Sequence, residues 1–233
     1  LMRSSAASDV YKRQGNMKNN RLLLLLFLLL PLCCAKAQSP VYYTDEDIQI
    51  YELFMKSWEK KRNYPVGDLM TGTARFFLSC PYVAYTLEKE PEELVVNFRE
   101  MDCMTLVETV TALVRTLQSG DASFDNYCHI LQNVRYRDGV INTYTDRLHY
   151  TTDWIFENER KGIVKDVTKE IGGKPLTMNL SFMSTHSDSY KQLKEHPEYI
   201  RKIAEKEQEI NSREYYFIPE DEINVCASGI KNG

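Results

Sequence analysis

A mixed α and β domain with local hairpins is the architecture this sequence predicts. Three observations carry it: apolar residues at helical spacing in two separate stretches, short β-rich runs between them, and a Gly172-Gly173 pair flanked by alternating segments.

The elements follow in chain order. "TDEDIQIYELFMKSWEK" opens with Thr44 as a helix cap and acids in the first turn, and Ile48, Tyr51, Leu53, Phe54, Met55 and Trp58 recur near helical spacing. "PVGDLMTGTARFFLSCPYVAYTL" reads as a loop, a helical turn and a tight segment around Pro81, and "EELVVNFRE" as a short strand or extended entry. Cys103, Leu106, Val107, Val110, Leu113, Val114 and Leu117 then mark one face of a second helix, with Asp102 at its N-cap and Gly120 as terminator. "NVRYRDGVINTYTDRLHYTTDWIFENERKG" mixes turn residues with a polar–aromatic cluster. "IVKDVTKEIGGKPLTMNLSFM" reads as a hairpin about Gly172-Gly173. "SDSYKQLKE" and "HPEYIRKIAEKEQEIN" read as helices, the latter with Pro197 at N1, and "REYYFIPEDEI" as a strand.

The N-terminal region has a different character. "MKNNRLLLLLFLLLPLCCAKAQ", from Met17, has the layout of a secretory signal peptide: Lys18 and Arg21, an apolar core from Leu22 to Leu32, and Ala35-Lys36-Ala37 at a cleavage site. Its apolar run is shorter than the roughly 20 residues of a membrane span. Residues 1–16 then read as an artefactual extension, 17–37 as the signal, and 38–233 as one exported, periplasmic domain without a stable membrane anchor. A lipoprotein through Cys33 or Cys34 is the alternative, and bulky Leu32 argues against it.

Residues 1–37 hold six Lys/Arg and one Asp, leaving 23 basic and 32 acidic residues and a net charge of −9 for the remainder. That balance excludes a basic stripe for nucleic acid or an anionic membrane. Cys80, Cys103, Cys128 and Cys226 are spaced too irregularly to reveal a disulfide pairing. No C-x-x-C or H-E-x-x-H spacing occurs and the histidines are scattered, so no metal site and no cofactor are expected.

Cys103 has two readings. It is a buried, inert thiol on the apolar face of its helix, or a nucleophile at N1, where free backbone N–H groups and the helix dipole favour a thiolate. The Asp-Cys at the head of a helix resembles the signature of the papain-like cysteine amidases of the NlpC-type superfamily. Within it, "YVAYTLEKEPEELVVNFREMDCMTLVETV", "DRLHYTTDWIFENERKGI" and "SFMSTH" resemble the N-acetylmuramoyl-L-alanine amidase-like family, from about Tyr64 onward.

The resemblance implies an α+β fold of helices packed on an antiparallel sheet. It also implies a hydrolase that opens the bond between N-acetylmuramic acid and L-alanine in peptidoglycan or muropeptides, with Cys103 as the nucleophile. Arg147, His149, Asp153 and Trp154 form a cluster suited to a peptide substrate, or else an Arg147–Asp153 surface pair beside a core tryptophan. Tyr82 lines the peptide subsite or packs in the core. Glu100 is placed to meet a substrate amine, and Asp102 serves as the cap beside the thiol. Ser184 and His186 match the family pattern or cap the helix after Ser187, while His129 and His196 read as structural.

Relatives place the catalytic histidine in a His-Val-Gly-like context on a later strand, followed by a strand with a third polar residue. Neither occurs here. The chain runs to "VCASGIKNG", a turn signal at Asn232-Gly233, and the expectation is a longer gene product. A γ-D-glutamyl-diamino acid endopeptidase and a non-catalytic muropeptide-binding protein are the alternatives.

Overall fold

The computed structural model describes residues 40–232, so the expected extension and signal segment, 1–37, lie outside the described residues. Strand β1 (Val41–Tyr42) leads into α1 (Asp45–Trp58). Thr44 caps α1 in a reciprocal box: its hydroxyl accepts from Asp47 N–H, and the Asp47 carboxylate accepts from Thr44 N–H at 2.9 Å. The helical turn expected next is a full helix, α2 (Val66–Phe76). Gly72 permits it, because a Cβ there would lie 2.1 Å from the Trp58 indole.

Strand β2 (Leu94–Val95) pairs in parallel with β1, Val41 opposite Leu94. It is followed by α3 (Cys103–Ser119), closed by Gly120 at φ +84° as its spacing predicts. Next come α4 (Phe124–Arg135) and α5 (Thr151–Arg160), helices with no counterpart in the sequence expectations. Strand β3 (Lys174–Leu176), α6 (Phe182–Thr185), α7 (Lys191–Glu195), α8 (Pro197–Asn211), β4 (Tyr215–Phe217) and α9 (Ile223–Cys226) complete the described order.

One expectation is corrected. The hairpin about Gly172-Gly173 does not form. Asp166 accepts from Thr168 N–H and Gly173 N–H bonds back to the Thr168 carbonyl, so the segment before the glycines is a closed turn with no strand to offer. β3 pairs instead with distant β4, antiparallel, Leu176 opposite Tyr215. The described residues thus form a helix-rich structure with two small two-stranded sheets, one parallel and one antiparallel, compatible with the expected α+β class.

The main core joins α1 to α4, with Phe54, Leu69, Leu94, Leu113 and Leu131 fully buried. A second cluster joins Tyr144, Met183, Leu193 and Ile203, and a third joins Val134, Leu148 and Trp154. The α3 face is rotated from its apolar pattern: Val107 is 42% exposed, whereas Thr109 and Glu108 are buried. Burial of these polar side chains is tolerated because α3 is enclosed by α2 and α4 and its buried groups find partners, Glu108 with Arg135 and Thr116 with the Ala112 carbonyl at 2.7 Å.

Candidate active site

The N-terminus of α3 is fixed from several directions. Asp102 has the extended backbone of an N-cap, its carboxylate accepts from Thr105 N–H at 2.8 Å, and Thr105 Oγ1 accepts from Asp102 N–H at 2.8 Å. One residue earlier, Met101 N–H donates to the Pro81 carbonyl and its own carbonyl accepts from Val83 N–H, both at 3.1 Å. Asp47 of α1 accepts from Phe98 N–H at 2.9 Å and from the Arg99 guanidinium at 3.2 Å. Cys103 emerges from this frame as N1 of α3, with its side chain exposed. Of its two sequence readings, the buried thiol is therefore not the one observed. Cys128 is such a thiol, and burial pushes it up to about 12.

The Pro81–Val83 bridge sets Tyr82 against Cys103. Tyr82 is 73% exposed, which excludes it from the core, and the Cys103 sulfur beside it is the main influence raising its phenol above the ordinary range. Glu100 is half-buried, its N–H donating to Asn97 Oδ1 at 3.1 Å. Its carboxylate lies near Cys80, whose thiol is raised first by burial and then by that charge.

A cleft of about 570 Å³ reaches Asp102, with Ala84 to Glu88, Tyr144, Arg147, His149 and Ser189 to Gln192 as its other walls. Arg147 is buried and fully engaged: two parallel bonds reach Glu92, at 2.9 and 2.8 Å, and a third reaches Glu88 at 2.9 Å. The remaining Glu88 oxygen accepts from the Gln192 amide. His149 donates from Nε2 to the Tyr144 carbonyl at 2.8 Å. Burial, reinforced by the Arg147 charge, holds its imidazole down to about 3 and hence neutral.

The structure separates the rest of the expected cluster from this cleft. Asp153, 3% exposed, is held between Arg137 and Arg213, the latter at 2.7 Å, so the anticipated Arg147–Asp153 pair does not exist. Trp154 is 4% exposed and packs on Val134 and Leu148. The Ser184 hydroxyl donates to buried Glu207, which also accepts from Tyr150 at 2.6 Å. His186 is exposed and stacks on Phe182, while His129 is exposed on α4. His196 precedes Pro197 at the head of α8 without capping it. Tyr85, Glu88, Glu92, Tyr144, Tyr190 and Gln192 are the wall and support residues that the sequence motifs did not single out. Tyr85 and the two glutamates lie inside the quoted family stretch, which was the available signal.

An exposed thiol at the free N–H end of a helix is chemically suited to nucleophilic attack on a carbonyl, with those N–H groups facing developing negative charge. Among the described residues no group of three His, Cys, Asp or Glu side chains could hold a metal ion. None of the described helices is long and apolar enough to cross a membrane.

An N-acetylmuramoyl-L-alanine amidase from Bacteroides uniformis shares 41% identity and a TM-score of 0.64, over 67% of this chain and 66% of that one. A proposed xylanase from Bacteroides fragilis shares 39% identity at a TM-score of 0.61, over 64% of this chain and 66% of that one. A Legionella pneumophila protein, 22% identical, has a similar fold at a TM-score of 0.54, over 80% of this chain and 72% of that one. The chain therefore spans just under two thirds of the length of the Bacteroides structures it matches. No curated protein matches it. A family model covers residues 72–233, and the chain belongs to the AmiA-like, N-acetylmuramoyl-L-alanine amidase-like family.

Proposed function

We propose that this protein is an exported cysteine amidase that hydrolyses the N-acetylmuramoyl–L-alanine bond of peptidoglycan or muropeptides, on a papain-like scaffold of the NlpC type. The observation that carries the reading is the exposed Cys103 thiol at N1 of α3, beside Tyr82 and next to a cleft that ends at Asp102. Family membership and the name of the Bacteroides uniformis relative support the choice of bond.

In this reaction the Cys103 sulfur attacks the lactyl carbonyl carbon, and the carbonyl π pair moves onto oxygen. The Cys103 N–H, unsatisfied within the helix, stabilises that oxyanion, and the Tyr82 phenol is near enough to contact the same centre. The intermediate collapses by breaking the C–N bond, and the L-alanine nitrogen leaves after taking up a proton. Water then adds to the thioester, releases the thiol and yields the muramoyl carboxylate. Asp102 keeps the helix mouth open by occupying deeper N–H groups, and Arg147 and His149 belong to the substrate cleft. His149 does not serve as the base for proton transfer. His149 is already committed to Tyr144, and a group held near 3 is a poor base at neutral pH.

The test is digestion of a disaccharide-peptide muropeptide by the native gene product, with products read by mass spectrometry. Release of a stem peptide beginning with L-alanine, lost in Cys103→Ala, is the expected result. A retained L-Ala-D-Glu stub on the sugar would reassign the enzyme as a γ-D-glutamyl-diamino acid endopeptidase. Binding without turnover would make it a muropeptide-binding protein, and unchanged turnover in Cys103→Ala would remove the nucleophile.

A further inference from the structure

The cleft beside Cys103 presents aromatic faces and neutral hydrogen-bonding atoms, while most of its charges are already used. Tyr85 is 76% exposed at φ +64°, a left-handed backbone rare for a bulky residue, and its side chain forms part of the cleft wall. Tyr190 adds a second phenol from the run entering α7, close enough to Tyr85 for the two to influence one another. The Tyr144 ring is already covered, by His149 at 4.3 Å and by the Arg147 guanidinium at 5.0 Å. Among the described residues no ring or cation covers Tyr85 or Tyr190.

Arg147 is saturated by Glu88 and Glu92, Glu88 by Arg147 and Gln192, and Asp102 by its capping bonds. Lys191, exposed on the wall, is the one lining cation without a carboxylate partner among the described residues. A carbonyl oxygen can only accept, so His149 Nε2 carries the proton and Nδ1 presents a lone pair.

The substrate of the proposed reaction has two unlike halves. Its stem peptide carries several carboxylates, which call for free guanidinium or ammonium groups. Its glycan half is uncharged once the lactyl group is amidated. It offers hydroxyls, acetamido N–H groups and apolar ring faces that pack on aromatic side chains. We infer that this cleft is the glycan subsite, in which an N-acetylated amino sugar lies against Tyr85 and Tyr190 and donates a hydrogen bond to His149 Nδ1. The inference rests on the proposed amidase reading for placing the scissile bond at Cys103; the recognition of sugar does not depend on it.

Saturation-transfer NMR on the full chain, with N,N′-diacetylchitobiose and, separately, the tripeptide L-Ala-γ-D-Glu-diaminopimelate, tests it. The disaccharide binds, the tripeptide in tenfold excess does not displace it, and Tyr85→Ala weakens it at least about fivefold, the loss of one stacking partner. Tyr85→Phe, which keeps the ring, retains binding and separates stacking from folding. Absence of disaccharide binding, displacement by the tripeptide, or indifference to Tyr85→Ala overturns the subsite. Cys103-dependent turnover with no sugar binding defeats the subsite alone. Sugar binding without Cys103-dependent turnover leaves the subsite and defeats the amidase reading.

Discussion

Glu108→Gln isolates the buried charge pair that anchors the cysteine helix. Glu108 lies a turn and a half into α3, and its carboxylate accepts from Arg135 Nε at 2.6 Å, with both side chains almost wholly buried. Arg135 also donates to the Val95 carbonyl at 2.6 Å, so one guanidinium ties α3, α4 and β2 together. Glutamine preserves volume and one hydrogen bond but leaves a guanidinium charge in the core without its counter-ion. Removing one partner of a buried pair costs about 3–5 kcal/mol, a large part of the roughly 5–15 kcal/mol that a domain has in total. The double variant Glu108→Leu/Arg135→Met removes both charges, and its remaining cost is the Val95 carbonyl's lost donor, about 1–3 kcal/mol. Urea unfolding should therefore show the double variant more stable than Glu108→Gln, with the slope m unchanged. A Glu108→Gln loss below about 1 kcal/mol, or a double variant weaker than the single, would refute a desolvated pair. Alkylation of Cys103 in folded Glu108→Gln should proceed at the wild-type rate, because the cap at Asp102 is untouched.

Four further outcomes follow from the same geometry. Gly72→Ala drives a Cβ to 2.1 Å from Trp58; overpacking should cost about 1–3 kcal/mol by urea titration, and Trp58→Leu in the same chain should return part of it. Gly120→Ala meets no atom within 4 Å but must hold φ +84°, so calorimetry should show a purely conformational loss of about 1–2 kcal/mol. His149, about 3 when folded against 6.5 unfolded, binds its proton first in the unfolded state. Stability should fall as pH drops from about 6.5 toward 3, and His149→Gln should flatten that segment. Asp47 acts in a separate window. Burial pushes its carboxyl up, yet hydrogen bonds from Phe98, Thr44 and Arg99 together hold it below the ordinary 3.8. Its contribution is therefore present above 3.8 and lost only below it, where Asp47→Asn should remove the slope.

What the sequence disclosed was local. Thr44 and Asp102 mark helix starts through bonds closed within a few residues, Gly120 marks an end by its left-handed backbone and Pro197 a start by its fixed φ, and all four stand where the pattern placed them. Cys103 at N1 was legible for the same reason. The α3 face was not, because Thr109 and Glu108 become buried through α4, and Glu108 specifically through Arg135, 27 residues away. The Gly172-Gly173 signal failed in the opposite sense: a genuine turn exists there, but the partner of β3 is β4, 39 residues beyond Leu176 at Tyr215. The Arg147 cluster was misdrawn because charge proximity in sequence says nothing about which carboxylate arrives first in space. Glu88 and Glu92 lie 59 and 55 residues away and outcompete Asp153.

That competition explains how the cleft is held at a fixed distance from the thiol. Cys103 stands on the core built by α1 to α4, whereas Tyr144 belongs to the second cluster, against which Tyr190 packs. Between them runs the segment from Tyr82 to Glu92, which supplies Tyr82 and Tyr85 at one end and two carboxylates at the other. Glu88 joins Arg147 to Gln192, and Glu92 joins Arg147 to Tyr136, whose hydroxyl donates at 2.7 Å. An apolar contact here would be nearly indifferent to direction, since the hydrophobic effect is non-directional. Bidentate guanidinium–carboxylate bonds are not indifferent, because both oxygens lose alignment together. Burial is the stronger influence on the Glu92 carboxyl and raises it, while the charge of Arg147, the partner that fixes the geometry, opposes that rise. The same bonds that withdraw Arg147 from a substrate carboxylate set the register between the tyrosine wall and the sulfur. A cleft organised in this way, with Lys191 its one unpaired lining cation among the described residues, gives up most charge recognition for a rigid, largely uncharged surface suited to a hydroxyl-rich ligand beside a nucleophile.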